Sequence, residues 1–362
     1  VKLKSKILSL MCAGVLTVIP FDAFNASAAI GDHDPNGDGQ LTISDSTFIL
    51  QFLLGRYNPT DLWELDVDDN CVVSVVDSNK VQAYDSNMSS VSSFNYPDGI
   101  NSMNSTSTSR NYRVYNAQNG SYKRNYNLSV EDFDNSDNTN MIIGTNDMIE
   151  DWSNRGTAKI VGNGFLATGF VVDSHTIATA AHVVFDTDSN IPKSLTSILL
   201  FDQNETPHPF TPKEYHIPTA FKNLSEYSET YDYALITVEQ DLSDYMSYNL
   251  GAITDYAATN QLTVGISGFP GGYNSYSTHT EMLSLGSIVL STDLNFKHNA
   301  DTQHGSSGSP VYISESYNGI NYHTVIGIHV RNYEEENEDL NGGVRFGAHE
   351  LKFYRANNNL QY

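Results

Sequence analysis

The sequence predicts a mainly β protein preceded by a short acidic, α-helical module. Three observations carry that expectation. From residue 141 onward, short β-rich runs alternate with Gly, Asn, Asp and Pro turns, at 158–161, 169–173, 176–179, 197–201, 233–238, 262–268, 286–291, 310–314 and 325–330. Many short strands with turn signals between them indicate a β-barrel or sandwich. Residues 30–88 are acidic and repeat one spacing of carboxylates. Residues 89–140 are rich in Ser, Asn and Tyr, as in Asn104-Ser105-Thr106-Ser107-Thr108-Ser109. They have little hydrophobic periodicity and read as a linker or prosegment.

The chain of 362 residues is long enough for two or three domains. Lys2, Lys4 and Lys6 precede an apolar run over 7–19, and Ala26-Ser27-Ala28-Ala29 follow. This is the pattern of an export signal, with an N-terminal anchor as the alternative. The expected division is a signal over 1–28, the acidic module over 29–88, the linker or prosegment over 89–140 and a catalytic domain over 141–362. Hydrophobic residues make up 39% and the mean hydropathy is −0.36, enough for a core and too little for a membrane protein. A net charge of −24 repels phosphate backbones, so nucleic acid is not an expected partner. Of the two cysteines, Cys12 lies in the signal and Cys71 remains, so the mature chain has no internal disulfide. A domain of about 200 residues buries enough surface to do without one.

In the acidic module, residues 34–45 place Asp34, Asn36 and Asp38 at loop positions one, three and five. Gly39 sits at six, Gln40 offers a carbonyl at seven and Asp45 closes the loop at twelve. Oxygen ligands on this spacing converge on one hard cation such as calcium. Residues 47–54 then read as a helix. The spacing repeats over 66–77, with Asp66, Asp68, Asn70, Val72 and Asp77 at one, three, five, seven and twelve; Cys71 replaces the glycine. Paired loops, each followed by a helix and each ending in Asp, resemble a dockerin over about residues 31–86. That resemblance implies structural calcium and a cohesin partner on a scaffold of the cellulosome kind.

The catalytic candidates are three residues in order. His182 ends Thr179-Ala180-Ala181-His182 after an apolar run. Asp232 opens Asp232-Tyr233-Ala234-Leu235-Ile236, and Ser307 sits in Gly305-Ser306-Ser307-Gly308-Ser309-Pro310. A serine hydroxyl is a weak nucleophile and needs an adjacent base. His182 fits that base and Asp232 the group that orients it. The N–H groups of Gly305 and Ser307 fit an oxyanion hole. The order His, Asp, Ser is that of one known triad arrangement.

These motifs resemble the trypsin-like serine proteases, specifically the bacterial glutamyl endopeptidase branch, over about residues 141–362. The resemblance implies two six-stranded antiparallel β-barrels with the site between them. It also implies protein or peptide substrates and no cofactor for the chemistry. In that branch a threonine before the nucleophile and a histidine after it bind the substrate carboxylate; Thr302 and His329 hold those positions. Arg331 is an alternative carboxylate partner, and the acidic run at 334–339 opposes an acidic substrate. The resemblance further implies maturation by a cut before the catalytic domain, near Asn140-Met141-Ile142-Ile143. With no disulfide to bridge the pieces, such a cut is expected to release the enzyme from its docking module. The rival reading is a binding protein with catalytically inert barrels. An esterase ranks lower, because no Gly-x-Ser-x-Gly elbow lies between strand and helix patterns.

Overall fold

The N-terminal module begins where a side chain can satisfy helix-end donors. In the computed structural model, which describes residues 33–37, 40–59, 61–88, 106–132, 148–223, 229–245, 248–335 and 338–356, helix α1 spans Ile43–Leu53. Thr42 caps it by accepting the Ser44 N–H at 3.2 Å, while Asp45 reaches back to the Thr42 N–H at 2.7 Å. This reciprocal arrangement is a capping box. Helix α2, Val75–Met88, starts in the same way. Ser74 Oγ accepts the Val76 N–H at 3.0 Å, and Asp77 Oδ2 accepts the Ser74 N–H at 2.8 Å. Ser46 and Ser78 join the two helices through a buried hydroxyl contact of 2.8 Å. Between the helices lies the two-residue strand β1, Val72–Val73. Residues 1–28, read as a signal, and Asp38, 89–105 and 133–147 lie outside the described residues.

Within the stretch read as a linker or prosegment, residues 106–132 are folded. They form two strands, β2 (Thr106–Asn116) and β3 (Tyr122–Asp132), paired antiparallel. Tyr112 and Val114 point inward and are fully buried, while Asn111 faces solvent. The Ser- and Asn-rich composition concealed this pattern because most of the hairpin's other side chains are exposed. After β4, Ile149–Glu150, come β5 (Thr157–Gly162), β6 (Phe165–Asp173) and β7 (Thr176–Thr179). A two-residue Asn163-Gly164 turn, with Gly164 at φ 87°, joins β5 to β6. The short helix α3, Ala181–Val184, is followed by β8 (Phe185–Asp186), β9 (Ile191–Pro192), β10 (Leu195–Phe201), β11 (Pro207–Phe210) and β12 (Pro212–Pro218). Helix α4, Thr219–Asn223, precedes β13, Ala234–Val238.

These strands make a nine-stranded sheet in the order β11-β10-β5-β6-β7-β13-β12-β2-β3. The six-strand run from β10 to β12 has the order of an antiparallel barrel, but no ladder joins its ends among the described residues. The far edge of β12 is instead paired with β2. Charge fixes the hairpin there: Lys123 and Arg124 reach the buried Glu214 of β12 at 2.6 and 3.1 Å.

The C-terminal half closes fully. It follows β14 (Asn249–Leu250) and β15 (Ala252–Ile253), and consists of β16 (Thr263–Gly268), β17 (Met282–Ser291), β18 (Asn295–His298), β19 (Pro310–Tyr317), β20 (Ile320–Glu335) and β21 (Glu338–Arg345). Strand β16 pairs with β17, β17 with β18, β18 with β21, β21 with β20, β20 with β19 and β19 with β16, all antiparallel. The ring is a six-stranded barrel with no free edge. Val264, Ile266, Ile288, Phe296, Val311 and Ile326 fill it. The chain then forms helix α5, Ala348–Ala356. Among the described residues, one of the two expected six-stranded barrels is closed by its ladders, and it stands beside a larger sheet enlarged by the hairpin.

Candidate active site

His182 and Asp232 come from the nine-stranded sheet. His182 sits in α3, one turn beyond β7, and Asp232 lies two residues before β13. Because β7 and β13 are neighbours in register, with Ala234 opposite Thr179, the two side chains emerge side by side. Asp232 is fully buried and binds His182 twice. Its Oδ2 lies 2.7 Å from Nδ1, and its Oδ1 accepts the His182 backbone N–H at 2.8 Å. The carboxylate thereby fixes the ring and holds a proton on Nδ1. Nε2, the other ring nitrogen, is left as the acceptor.

Ser307 comes from the opposite half, in the loop between β18 and β19. Gly305 and Gly308 have φ of 99° and 88°, which only glycine adopts without strain. A Cβ on Gly308 would also meet the Thr168 carbonyl oxygen and Thr179 Oγ1. The loop is tied across the junction: Thr168 N–H donates to the Ser307 carbonyl at 2.9 Å, and Thr168 Oγ1 donates to the Gly305 carbonyl at 2.8 Å. The carbonyls of His304 and Ser306 are bonded to the N–H groups of Gly271 and Ser309, at 2.5 and 2.9 Å. Across each trans peptide the next N–H points the other way. Those are the N–H groups of Gly305 and Ser307. An open cleft of ≈ 510 Å³ is lined by His182, Gly305 and Ser307, with Phe165, Asn274 and His304 around them.

Thr302 and His329 are not among the residues lining that cleft. His329, on β20, is buried beside the nucleophile loop. Its N–H donates to Ser309 and its carbonyl accepts from Gly308, at 3.0 and 2.8 Å. Its Nδ1 is 3.4 Å from Nε2 of His298. Thr302 Oγ1 donates to Asn341 Oδ1 at 2.7 Å. Arg331, two residues beyond His329, is exposed.

Burial holds His298 down at about 3, and burial with the neighbouring His298 and His182 holds His329 well below the usual imidazole range. Both rings are therefore neutral near pH 7. In the unfolded chain they protonate near pH 6.5, so the stability they carry is present above that value and is lost as pH falls toward the folded values. For His298 the loss from pH 7 to 5 is about 2 kcal/mol. Replacing it, His298→Gln, is expected to flatten the fall in melting temperature between pH 7 and 5. A slope equal to that of the wild type would contradict the assignment.

Sequence reasoning missed His298, Asn341 and Lys159. Lys159 is buried inside β5 and donates to the carbonyls of Ser275 and Thr278, at 2.7 and 2.6 Å, and to Asn274 Oδ1 at 3.2 Å. It pins the 270s loop against the cleft, and its burial lowers it to about 8. The available signal was a lone lysine inside an apolar run, where a charge demands several acceptors.

The two acidic loops are a second candidate site. In the first, Asp34 Oδ1 accepts the Gly37 N–H at 2.8 Å, and Asp45 Oδ1 accepts the Asn36 N–H at 3.1 Å. Gln40 is present, while Asp38 lies outside the described residues. In the second, Asp66, Asp68 and Asp77 bring carboxylate oxygens within 4.8 Å of one another. Asp66 accepts the N–H groups of Asn70 and Cys71, at 3.0 and 2.8 Å, closing the loop. Val72 N–H donates to Asn70 Oδ1 at 2.8 Å. Asp77 is fully buried and its Oδ1 has no hydrogen-bond partner among the described residues. Burial, followed by the Asp68 charge, pushes Asp66 up to about 8 and raises Asp77 strongly. A hard divalent cation fits this oxygen set.

Residues 167–317 match the trypsin-like peptidase domain family. A glutamyl endopeptidase from Bacillus licheniformis is 28% identical over 152 residues, 41% of this chain and 46% of that protein. The chain thus spans 46% of the length of that curated relative. A solved structure of a Glu endopeptidase in complex with MPD covers 60% of this chain and 100% of its own, at 22% identity and a TM-score of 0.48. Among the described residues, no helix is long and apolar enough to cross a membrane.

Proposed function

We propose that this chain is a secreted serine endopeptidase that cleaves after acidic residues. The observation that carries the reading is the doubly bonded His182–Asp232 pair, facing the same cleft as the glycine-flanked Ser307. In this reading Ser307 Oγ attacks the scissile carbonyl while His182 Nε2 takes its proton. The developing oxyanion is stabilised by the N–H groups of Gly305 and Ser307. His182⁺ then gives the proton to the leaving amine, and water hydrolyses the acyl-enzyme by the same route. Asp232 keeps the tautomer and stabilises the imidazolium. The six-strand run β10–β12 is read as the second barrel of a chymotrypsin-like architecture.

Preference for glutamate rests on Thr302 and His329 in their family positions and on the resemblance to the Bacillus glutamyl endopeptidase. In this reading a neutral His329 donates one ring N–H to the substrate carboxylate. One hydrogen bond to a charged group contributes about 1.5–3 kcal/mol. His329→Ala is therefore expected to lower kcat/KM on Glu substrates by about 10–10²-fold, at unchanged rates on weak neutral substrates. Peptide-library profiling tests this. Equal cleavage after Leu, Lys and Glu by the wild type would sink the specificity.

The N-terminal loops are read as calcium sites that fold a dockerin-like module, with a cohesin on a scaffold as its partner. The repeated ligand spacing supports that reading. Secretion rests on the leader over 1–28.

A cut near residue 140 is read as leaving the upstream piece in place without a disulfide, because β2 pairs with β12 in the nine-stranded sheet whose strands β7 and β13 adjoin His182 and Asp232.

A further inference from the structure

The second acidic loop is built into the catalytic body. Strand β1 pairs with β15, setting Val72 opposite Ile253 and Val73 opposite Ala252. The Cys71 carbonyl accepts the Thr254 N–H at 3.0 Å. Cys71 stands where such a loop needs glycine and adopts the left-handed conformation at φ 68°. That strain costs on the order of 1 kcal/mol, and the thiol gives a reason for it. It is buried against the core of the closed barrel and accepts Asn260 Nδ2 at 3.0 Å. Glycine would relax the loop and leave a hole in the interface.

The loop also reaches into the barrel wall. Glu315 of β19 accepts Asn70 Nδ2 and Ser74 Oγ on Oε1, both at 3.0 Å, and accepts Thr324 Oγ1 of β20 on Oε2 at 2.8 Å. On the other side, Arg345 of β21 donates to the Ile253 carbonyl at 2.5 Å and to Asp255 at 2.8 Å. The strand that receives β1 is thereby held to the barrel. The carboxylates of Asp66, Asp68, Asp77 and Glu315 thus gather at a buried seam where Lys80, paired with Asp68, supplies positive charge. The unpartnered Asp77 Oδ1 lies buried in this group. An acceptor oxygen closed off from water requires a cation or a donor.

We propose that a calcium ion in the 66–77 loop is a clamp between the N-terminal module and the closed catalytic barrel, with Glu315 as the positioning residue on the barrel side. The inference rests on reading 66–77 as a calcium loop. Asp66, Asp68 and Asp77 hold the ion, with Asn70 and the Val72 carbonyl completing the set. The loop conformation they fix is the one that presents Cys71, Val72, Asn70 and Ser74 to the barrel. Calcium accordingly stabilises the protease and the module as one unit, since a ligand stabilises whatever folds with its site.

The test uses the full chain carrying Ser307→Ala, so that it does not digest itself. Calcium binding is measured by titration calorimetry, and unfolding is followed through the near-ultraviolet aromatic signal with excess calcium or with chelator. Calcium is expected to raise the melting temperature of a single transition by roughly 5–10 °C. Asp77→Asn should abolish most of that rise. Glu315→Gln, in the barrel, should weaken the second site by about 10-fold, one charge-assisted hydrogen-bonding group being lost. Thr324→Val, isosteric and also in the barrel, should shift affinity in the same direction by less, which keeps the test readable if Glu315→Gln does not fold. Calcium binding that leaves the barrel transition and the Glu315→Gln affinity unchanged overturns the clamp and spares the calcium loops. No binding of calcium at all overturns both.

Discussion

Replacing Ser307 with alanine is expected to lower turnover by about 10⁴–10⁶-fold while leaving the melting temperature within a degree or two of wild type, the scale seen when a triad nucleophile is removed. The effect is large because the three residues act as one unit. His182 is held by Asp232 through two bonds, of 2.7 and 2.8 Å, and in the proposed mechanism it accepts the serine proton. Asp232→Asn should cost about 10⁴-fold by presenting the wrong tautomer. Stability should hardly change with Ser307→Ala, since its Oγ has one long contact, to the Val330 carbonyl at 3.4 Å. Steady-state hydrolysis of a peptide substrate, with thermal unfolding as a control, measures both. Near wild-type turnover by Ser307→Ala would remove the nucleophile from the account.

Loss of the β2–β3 hairpin is expected to be nearly as damaging, by a different route. Tyr112 stacks on Phe353 of α5 with ring centroids 4.5 Å apart, and its hydroxyl is 3.2 Å from that of Tyr233. Arg110 donates to the same Tyr233 hydroxyl at 3.0 Å and pairs with Glu350. Tyr233 is the residue after Asp232. The hairpin therefore braces the strand that carries the histidine's partner. Tyr112→Ala should cost about 3–5 kcal/mol, the range for truncating a buried aromatic, out of a total of about 5–15. A chain beginning at residue 141 should be insoluble or should melt far below the full chain. It would expose the edge of β12 and leave Glu214 without Lys123 and Arg124. A stable, fully active chain beginning at 141 would show the hairpin to be a dispensable prosegment.

The contrast between these two regions shows what the sequence made legible. The nine β-rich runs fall on strands of the two halves, because each couples apolar side chains to a turn signal close by. The helix after each acidic loop was legible for similar local reasons. His182, Asp232 and Ser307 stood out as candidates because each sits in a motif with its own local signal: small residues before the histidine, an apolar strand after the aspartate, glycines around the serine. The hairpin was not legible. Its described buried side chains in the strands are Tyr112, Val114 and Tyr115, with Leu128 partly buried, and Ser, Thr, Asn, Lys and Arg make up most of the rest of the two strands. Its stability depends on a strand edge and a buried glutamate about 90 residues further on. The docking of the 66–77 loop was hidden for the same reason. Cys71 appeared as a departure from a loop rule, and its purpose emerges only once Asn260 and the barrel core surround it. His298, next to His329, is separated from it by 31 residues and carries no local motif.

The central claim, an activated serine in a functioning triad, is tested most directly by a fluorophosphonate probe on the intact chain. Such a reagent phosphonylates a serine only where a base activates it and an oxyanion hole receives the new oxygen. The expected result is covalent label on the peptide containing Ser307, absent in Ser307→Ala and strongly slowed in His182→Ala. Label absent from Ser307, or a labelling rate that His182→Ala leaves unchanged, would contradict it.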